Sequence, residues 1–337
     1  RYQRVHLHDV FSNPVPMEYG VPQGSVLGPK AFIMVMRIVE LIAGLYGVSV
    51  HLYADDTQLY VYFDLNDREE FVRANENMEK CIAHISAWMT ANKLKLNQEK
   101  TEVIEICHPR LRHKMPDFTI TVGDSAISPA PSARNLGVMF DENMSMEHQV
   151  TAICKTVNFH MRNIGRIRKF LTRESTEAVI HALVTSRLDN NNALLAGLPD
   201  VQINRLQKLQ KTAARIVLGV QRYDPISFMS SLHWLPIRDR VSFKILLLVF
   251  KALHGKGPQY LADMIKPYEA PLSLRSQQQS LLPVPRSRLA TAGDRAFSVI
   301  GPKLWNALPI DVKECDSVDT FKVNLKSFLF KEALKRE

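Results

Sequence analysis

Cysteine is scarce in this chain. There are 4 in 337 residues (Cys81, Cys107, Cys154 and Cys315), and none forms a Cys-x-x-Cys pair. That spacing excludes a disulfide scaffold and fits a reducing compartment. Cys107-His108 with His113 supplies at most half a zinc site, and no second half follows at a suitable spacing. Long apolar runs are also missing. Residues 31–46 come nearest, but Arg37 and Glu40 interrupt them, so no segment is suited to span a bilayer. No signal peptide opens the chain and no internal repeat is visible. The first residue is Arg rather than Met, which leads us to expect a fragment or a partial reading frame. Acidic residues are outnumbered, 34 Asp and Glu against 43 Lys and Arg, for a net charge of +9 and a pI of about 9.3. A balance of this sign favours a polyanionic partner. It is also uneven: residues 151–220 hold eleven Lys and Arg against four Asp and Glu, which is +7 of the total. Apolar residues at 46% leave enough for a sizeable core and two or three domains.

What the chain does have is organised around Tyr53-Ala54-Asp55-Asp56. Short β-prone runs flank it, Val48 to Leu52 before and Gln58 to Phe63 after. They predict a hairpin with Asp55-Asp56 at the turn. Adjacent carboxylates repel, and a hard divalent cation that takes oxygen ligands relieves the repulsion. Taken alone, such a pair is also an ordinary polar turn. Upstream, Gly20-Val21-Pro22-Gln23-Gly24-Ser25-Val26-Leu27-Gly28-Pro29 packs three glycines and two prolines into ten residues. It predicts a constrained loop, bare enough for close approach to a ligand, that opens a buried helix over residues 31–46.

The decapeptide, the Tyr-Ala-Asp-Asp hairpin and the spacing between them resemble reverse transcriptases of non-LTR (LINE-type) retrotransposons, at the palm motifs B and C of that family. The resemblance implies an α+β fold: a partial right-hand polymerase palm, with an antiparallel sheet and helices, over residues 1–142. A helical thumb over 143–221 and a mostly helical C-terminal extension over 222–337 would follow. It implies RNA-templated DNA synthesis, in which a DNA 3′-hydroxyl attacks the α-phosphate of a deoxynucleotide with the help of two Mg²⁺ ions. Asp55 would be a direct metal ligand and Asp56 a more peripheral one. Pro22, Gln23, Gly24 and Tyr53 would face template and nucleotide. The implied partners are an RNA template, a DNA primer and deoxynucleoside triphosphates. The implied location is the nucleus and cytoplasm, with no membrane and no statement about oligomeric state.

Further along, Phe71, Ala74, Met78, Ile82, Ile85 and Met89 keep helical spacing and predict a helix over about 69–90. The segment Asn92 to Glu102, ahead of strand-like Val103-Ile104-Glu105-Ile106, resembles motif D of the same family. Lys100 sits where the family has a lysine that protonates pyrophosphate or steadies the incoming nucleotide; otherwise it is a solvated loop residue. Asn135-Leu136-Gly137-Val138 resembles the segment that grips the primer, with Leu136 and Gly137 closest to the strand. Residues 145–171 predict the clearest helix: Val150, Ile153, Val157, Met161, Ile164 and Leu171 on one side, Lys155, Arg162, Arg166 and Lys169 on the other. A stripe of one sign costs repulsion unless a polyanion lies against it. Helices are also expected over 175–188, 201–218, with Arg205, Lys208, Lys211 and Arg215, then 241–253 and 318–334.

One part of the catalytic set is missing from the pattern. The family's third aspartate belongs to motif A, well upstream of motif B, and the carboxylates before Asp55 are only Asp9, Glu18 and Glu40. Mg²⁺ is therefore expected to bind this chain weakly, and the chain alone is not expected to polymerise. Part of an active reverse transcriptase, a catalytically dead nucleic-acid-binding remnant of a retroelement, and a degenerate relic all remain open on the sequence.

Overall fold

A computed structural model of the chain describes residues 2–16, 18–20, 27–221, 231–265, 281–287 and 292–336. The fold divides into two compact units, Arg1–Asn143 and Met144–Glu337.

The first unit opens with four short strands, β1 (Tyr2–Gln3), β2 (His6–Leu7), β3 (Val10–Phe11) and β4 (Val15–Pro16), paired β1 with β4 and β2 with β3. Helix α1 runs from Gly28 to Leu45, with proline in its first turn, where a missing N–H costs nothing. It stops at Gly47, whose φ of +66° suits glycine. There Val48 N–H donates to the Ala43 carbonyl at 3.0 Å and Gly47 N–H to that of Gly44 at 3.3 Å, satisfying two end carbonyls. The chain turns directly into strand β5 (Ser49–Tyr53), paired antiparallel with β6 (Asp56–Tyr60). Helix α2 (Arg68–Ala91) begins at Asp67, whose carboxylate accepts from the Glu69 and Glu70 N–H groups at 3.0 and 2.9 Å.

These elements make one apolar cluster. Met36, Val39, Ile42 and Ala43 of α1 meet Val48 and, from α2, Cys81, Ile85 and Met89, with Val50, Leu52, Leu59 and Val61 of the hairpin packed against them. Each buried Met, Val or Ile contributes roughly 1.5–3 kcal/mol over the exposed state. Val39 has no exposed surface, so Val39→Asp would strand a carboxylate in this cluster. The helix over 31–46 was expected to be buried, and the structure corrects this in part. Met36, Val39, Ile42 and Ala43 on one face are buried, while Ile33, Met34, Leu41 and Leu45 stay exposed. Apolar residues on every side signal burial only when packing layers exist on every side, and within this unit α1 is covered by a single layer.

The unit is completed by two hairpins, β7 (Ile120–Val122) with β8 (Ser125–Ile127) and β9 (Ser132–Asn135) with β10 (Val138–Asp141). The strand expected over 103–106 is reduced to a single bridge between Ile104 and Ala130. Among the described residues the antiparallel structure is therefore five separate strand pairs rather than one continuous sheet. The strands are two to five residues long.

The second unit is helical. Helix α3 (Glu147–Ile167) buries Val150, Ile153, Val157, Met161 and Ile164. It ends four residues before the expected limit, in a 3₁₀ turn at Arg168–Phe170, and leaves Leu171 extended. Arg168 explains the stop. Its guanidinium donates to the carbonyls of Ile216, Val217 and Leu171 at 2.7, 3.1 and 2.9 Å, and so satisfies end groups of a second helix. Helix α4 (Arg173–Ile180) passes through a π turn at His181–Thr185 into α5 (Ser186–Asp189), in place of one regular helix over 175–188. Helix α6 (Asp200–Leu218) packs along α3 and ends at Gly219, φ +69°.

Among the described residues, helices α7 (Ile237–Leu253), α8 (Gln259–Met264), α9 (Phe297–Asn306), α10 (Ile310–Lys313) and α11 (Val318–Leu334) follow. Phe250 of α7 stacks on Phe321 of α11 at 4.1 Å between ring centres. Arg336 donates to the buried Asp239 carboxylate at 2.6 Å, which ties the end of the chain to the first turn of α7. No described helix is long and apolar enough to cross a membrane.

Candidate metal centre and nucleic-acid interface

The register of β5 and β6 sets the geometry at the two aspartates. Tyr53 lies opposite Asp56, so the two-residue turn is Ala54-Asp55, and Asp56 is the first residue of the returning strand. The expected turn at Asp55-Asp56 is thus shifted by one residue. Tight two-residue hairpins need left-handed backbone, and here Ala54 takes it, with φ +53°. For a residue with a Cβ this is a strained conformation, and such strain concentrates where function holds it in place.

Strand alternation does the rest. Val50, Leu52 and Leu59 face the apolar cluster, while His51, Tyr53, Asp56 and Gln58 are exposed on the other side. His51 and Tyr60 stack at 5.2 Å and share a hydrogen bond of 3.1 Å between Nε2 and the hydroxyl. Asp55 and Asp56 are both exposed at the tip. Their oxygens are hard donors of the kind Mg²⁺ takes, which fits the group that the resemblance implies. Among the described residues no cluster of three or more His, Cys, Asp or Glu side chains is placed to hold a metal ion.

A second hairpin lies beside this face. β9 and β10 are joined by Leu136-Gly137, with φ values of +46° and +79°. Two consecutive left-handed residues make the tight turn whose twist matches the strands. A Cβ added at Gly137 would meet nothing within 4 Å, so the backbone there is open to an approaching ligand. Asn135, the last residue of β9, donates from its side-chain amide to the Gln58 Oε1 at 2.9 Å. Gln58 shares the exposed face of β6 with Asp56. The sequence expectation named Leu136-Gly137 but not this bond, and no motif marks either partner.

The segment carrying Lys100 reaches the same strand. Lys100 ends a short 3₁₀ turn, Gln98–Lys100, and is exposed. Two residues later, Glu102 accepts the backbone N–H of Arg134, next to Asn135, at 3.0 Å. The structure therefore links the segment after Lys100, the Leu136-Gly137 hairpin and the Asp55-Asp56 hairpin. It gives no direct contact from Lys100 to either aspartate. Pro22, Gln23 and Gly24 lie outside the described residues. The flanks of their loop are placed: Gly20 N–H donates to the carbonyl of Lys93, just past α2, at 2.8 Å, and Gly28 begins α1.

Residues 6–140, which contain the aspartate hairpin, Lys100 and the Leu136-Gly137 turn, match the family model described as "Reverse transcriptase (RNA-dependent DNA polymerase)". This stretch is similar to the reverse transcriptase family, and the similarity takes in the carboxylate hairpin, the glycine turn and Lys100. A longer similarity runs to a Drosophila melanogaster protein described as "Probable RNA-directed DNA polymerase from transposon X-element", 25% identical over 226 residues. It covers 64% of this chain and 24% of the Drosophila protein, so the chain matches about a quarter of the length of that relative. No solved structure matches the chain significantly.

In the second unit, Lys155, Arg162, Arg166 and Lys169 are all exposed along the outer face of α3 and its 3₁₀ extension. None of the four pairs with a carboxylate among the described residues. The stripe does not end at the edge of α3. Thr151, on the same face, accepts a hydrogen bond from Arg205 of α6 at 3.0 Å, and Lys208 and Lys211 of α6 are exposed beyond it.

Proposed function

We propose that this chain is the palm-to-thumb part of a LINE-type retrotransposon reverse transcriptase, with the palm in residues 1–142, the thumb in 143–221 and a C-terminal extension in 222–337. The observation that carries this reading is the pairing of two exposed carboxylates at a tight hairpin with an open glycine turn on the same face, inside the stretch matched by the reverse transcriptase family. In the reaction, the oxygen of a DNA 3′-hydroxyl forms a bond to the α-phosphorus of a deoxynucleoside triphosphate, the hydroxyl proton is lost, and the bond to pyrophosphate breaks. Asp55 and Asp56 would hold Mg²⁺, which, when bound, activates the hydroxyl and neutralises the developing charge. Leu136 and Gly137 would lie against the primer end, and Lys100 would supply a proton or a positive charge to the leaving pyrophosphate. Tyr53 and the Pro22-Gln23-Gly24 loop would face the template and nucleotide. The basic face of α3 would hold the RNA template and DNA primer by their phosphates, and the working locations would be the nucleus and cytoplasm.

Carboxylate count sets the strength of oxygen-ligand sites, and a third carboxylate in the motif A position is not in this sequence. Mg²⁺ should therefore bind weakly, and only through the hairpin. Titration calorimetry with chain 1–337 and its Asp55→Ala variant tests this. Weak binding that Asp55→Ala removes supports the reading, and tight binding indifferent to Asp55 contradicts it.

A further inference from the structure

The basic face of α3 carries something that phosphate contacts do not require. Phe159 is 57% exposed and Phe170 is 76% exposed; Phe159 lies within the row of Lys155, Arg162, Arg166 and Lys169, and Phe170 follows it directly, at the end of the 3₁₀ turn Arg168–Phe170. At 100° per residue, Lys155, Phe159, Arg162 and Arg166 point within about 60° of one another, so one ring stands among three cations along one line. Between Glu147 and Glu174 the sequence has no carboxylate. This stretch is therefore of one sign, complementary to a polyanion, with one large aromatic ring among its cations and a second at its end. Lys169 Nζ sits 4.9 Å from the centre of the Phe170 ring. A cation over one face polarises the ring and leaves the opposite face for a second planar group. The Phe159 ring meets its neighbour His160 edge to face, 5.4 Å between centres.

Duplex nucleic acid gives such rings little to bind. Its bases present edges in the grooves, while their faces are hidden in the stack. An unpaired strand offers both of its chemistries to this surface at once, phosphates for the cations and base faces for the rings. We propose that the outer face of α3 takes an unpaired nucleic-acid strand, with its phosphates on Lys155, Arg162, Arg166 and Lys169 and two of its bases stacked on Phe159 and Phe170. The proposal rests on the reading that this face contacts nucleic acid, and adds which form of nucleic acid it selects. The two rings are eleven residues apart, eight in α3 and three in its 3₁₀ turn, about 18 Å along the axis, so the bases they take are separated by several nucleotides.

The test is fluorescence anisotropy with chain 1–337 and three probes of about twelve nucleotides: a single-stranded RNA, the matching duplex, and an abasic strand that keeps only sugar and phosphate. Stacking on one aromatic side chain is worth about 5- to 150-fold in affinity when removed by alanine. The double variant Phe159→Ala/Phe170→Ala should lose at least about 10-fold for the single strand. It should hold the duplex and abasic strands as the parent does, and keep the salt dependence of the parent. Phe159→Trp/Phe170→Trp should keep single-strand binding, since it keeps the rings. Equal single-strand affinity in the alanine variant would overturn the proposal. So would equal losses on all three probes, which would point to rings that pack against protein. The variant Lys155→Ala/Arg162→Ala/Arg166→Ala/Lys169→Ala separates the two ideas. If it loses nothing on any probe, the nucleic-acid reading of this face fails. If it weakens all three while the phenylalanine variant is neutral, only the stacking fails.

Discussion

The side-chain amide of Asn135 donates to the Gln58 carbonyl oxygen at 2.9 Å and joins the hairpin of the glycine turn to the hairpin of the two aspartates. The two residues are 77 apart in sequence. Between exposed neutral partners such a bond contributes about 0.5–1.5 kcal/mol. A double-mutant cycle of Gln58→Ala and Asn135→Ala, read by denaturant unfolding, should show a coupling of that size. Additive losses would mean that the two hairpins do not hold each other.

Four cations on one helix face should act through phosphate. Binding of nucleic acid by chain 1–337 should show little sequence preference and fall steeply with salt, and each of Lys155, Arg162, Arg166 and Lys169 removed should flatten the log–log salt slope by roughly one unit. Lys251, Lys322 and Lys326, on α7 and α11, and Lys266, which lies outside the described residues, should contribute far less when all four are changed together to alanine. Filter binding at several salt concentrations checks this. Equal losses in the two sets would reduce the α3 stripe to a solvated face.

Cys81 has no exposed surface in the cluster beneath the aspartate hairpin, and burial pushes its thiol up to about 11 from 9.0. A raised value favours the neutral thiol in the folded state. Its contribution to stability is therefore full below about pH 9 and lost as pH rises towards about 11. A thiol-specific reagent at pH 8 should leave Cys81 unmodified in the native chain, because the thiolate is the reacting form, and should modify it on unfolding. Rapid labelling of Cys81 at pH 8 would mean that the cluster of α1, α2 and the hairpin is not closed around it.

Much of this was legible in the sequence, and for definite reasons. Helical periodicity placed α2, α3, α6 and α11 because one face of each packs against the core. Alternation placed the hairpin at Asp55-Asp56. The turn itself was missed by one residue because Ala54 holds a left-handed φ that its residue type does not favour, and only the register reveals this. α1 was expected to be buried because composition reports how apolar a helix is, and not how many layers pack on it. Arg168 ended α3 early through carbonyls of a helix some fifty residues away, a contact that no local pattern carries. The Asn135–Gln58 bond was invisible for the same reason.

The central claim is that Asp55, at the tip of the hairpin, serves nucleotide addition. Primer extension on an RNA template tests it most directly. Chain 1–337 is compared with a protein in which an upstream segment from a related element supplies the motif A aspartate and the fingers, with and without Asp55→Ala. The chain alone should give no extension, the extended protein should extend the primer in Mg²⁺, and Asp55→Ala should abolish that extension while leaving nucleic-acid binding in place. Extension that persists in Asp55→Ala, or robust synthesis by chain 1–337 alone, would contradict the assignment of the catalytic carboxylates.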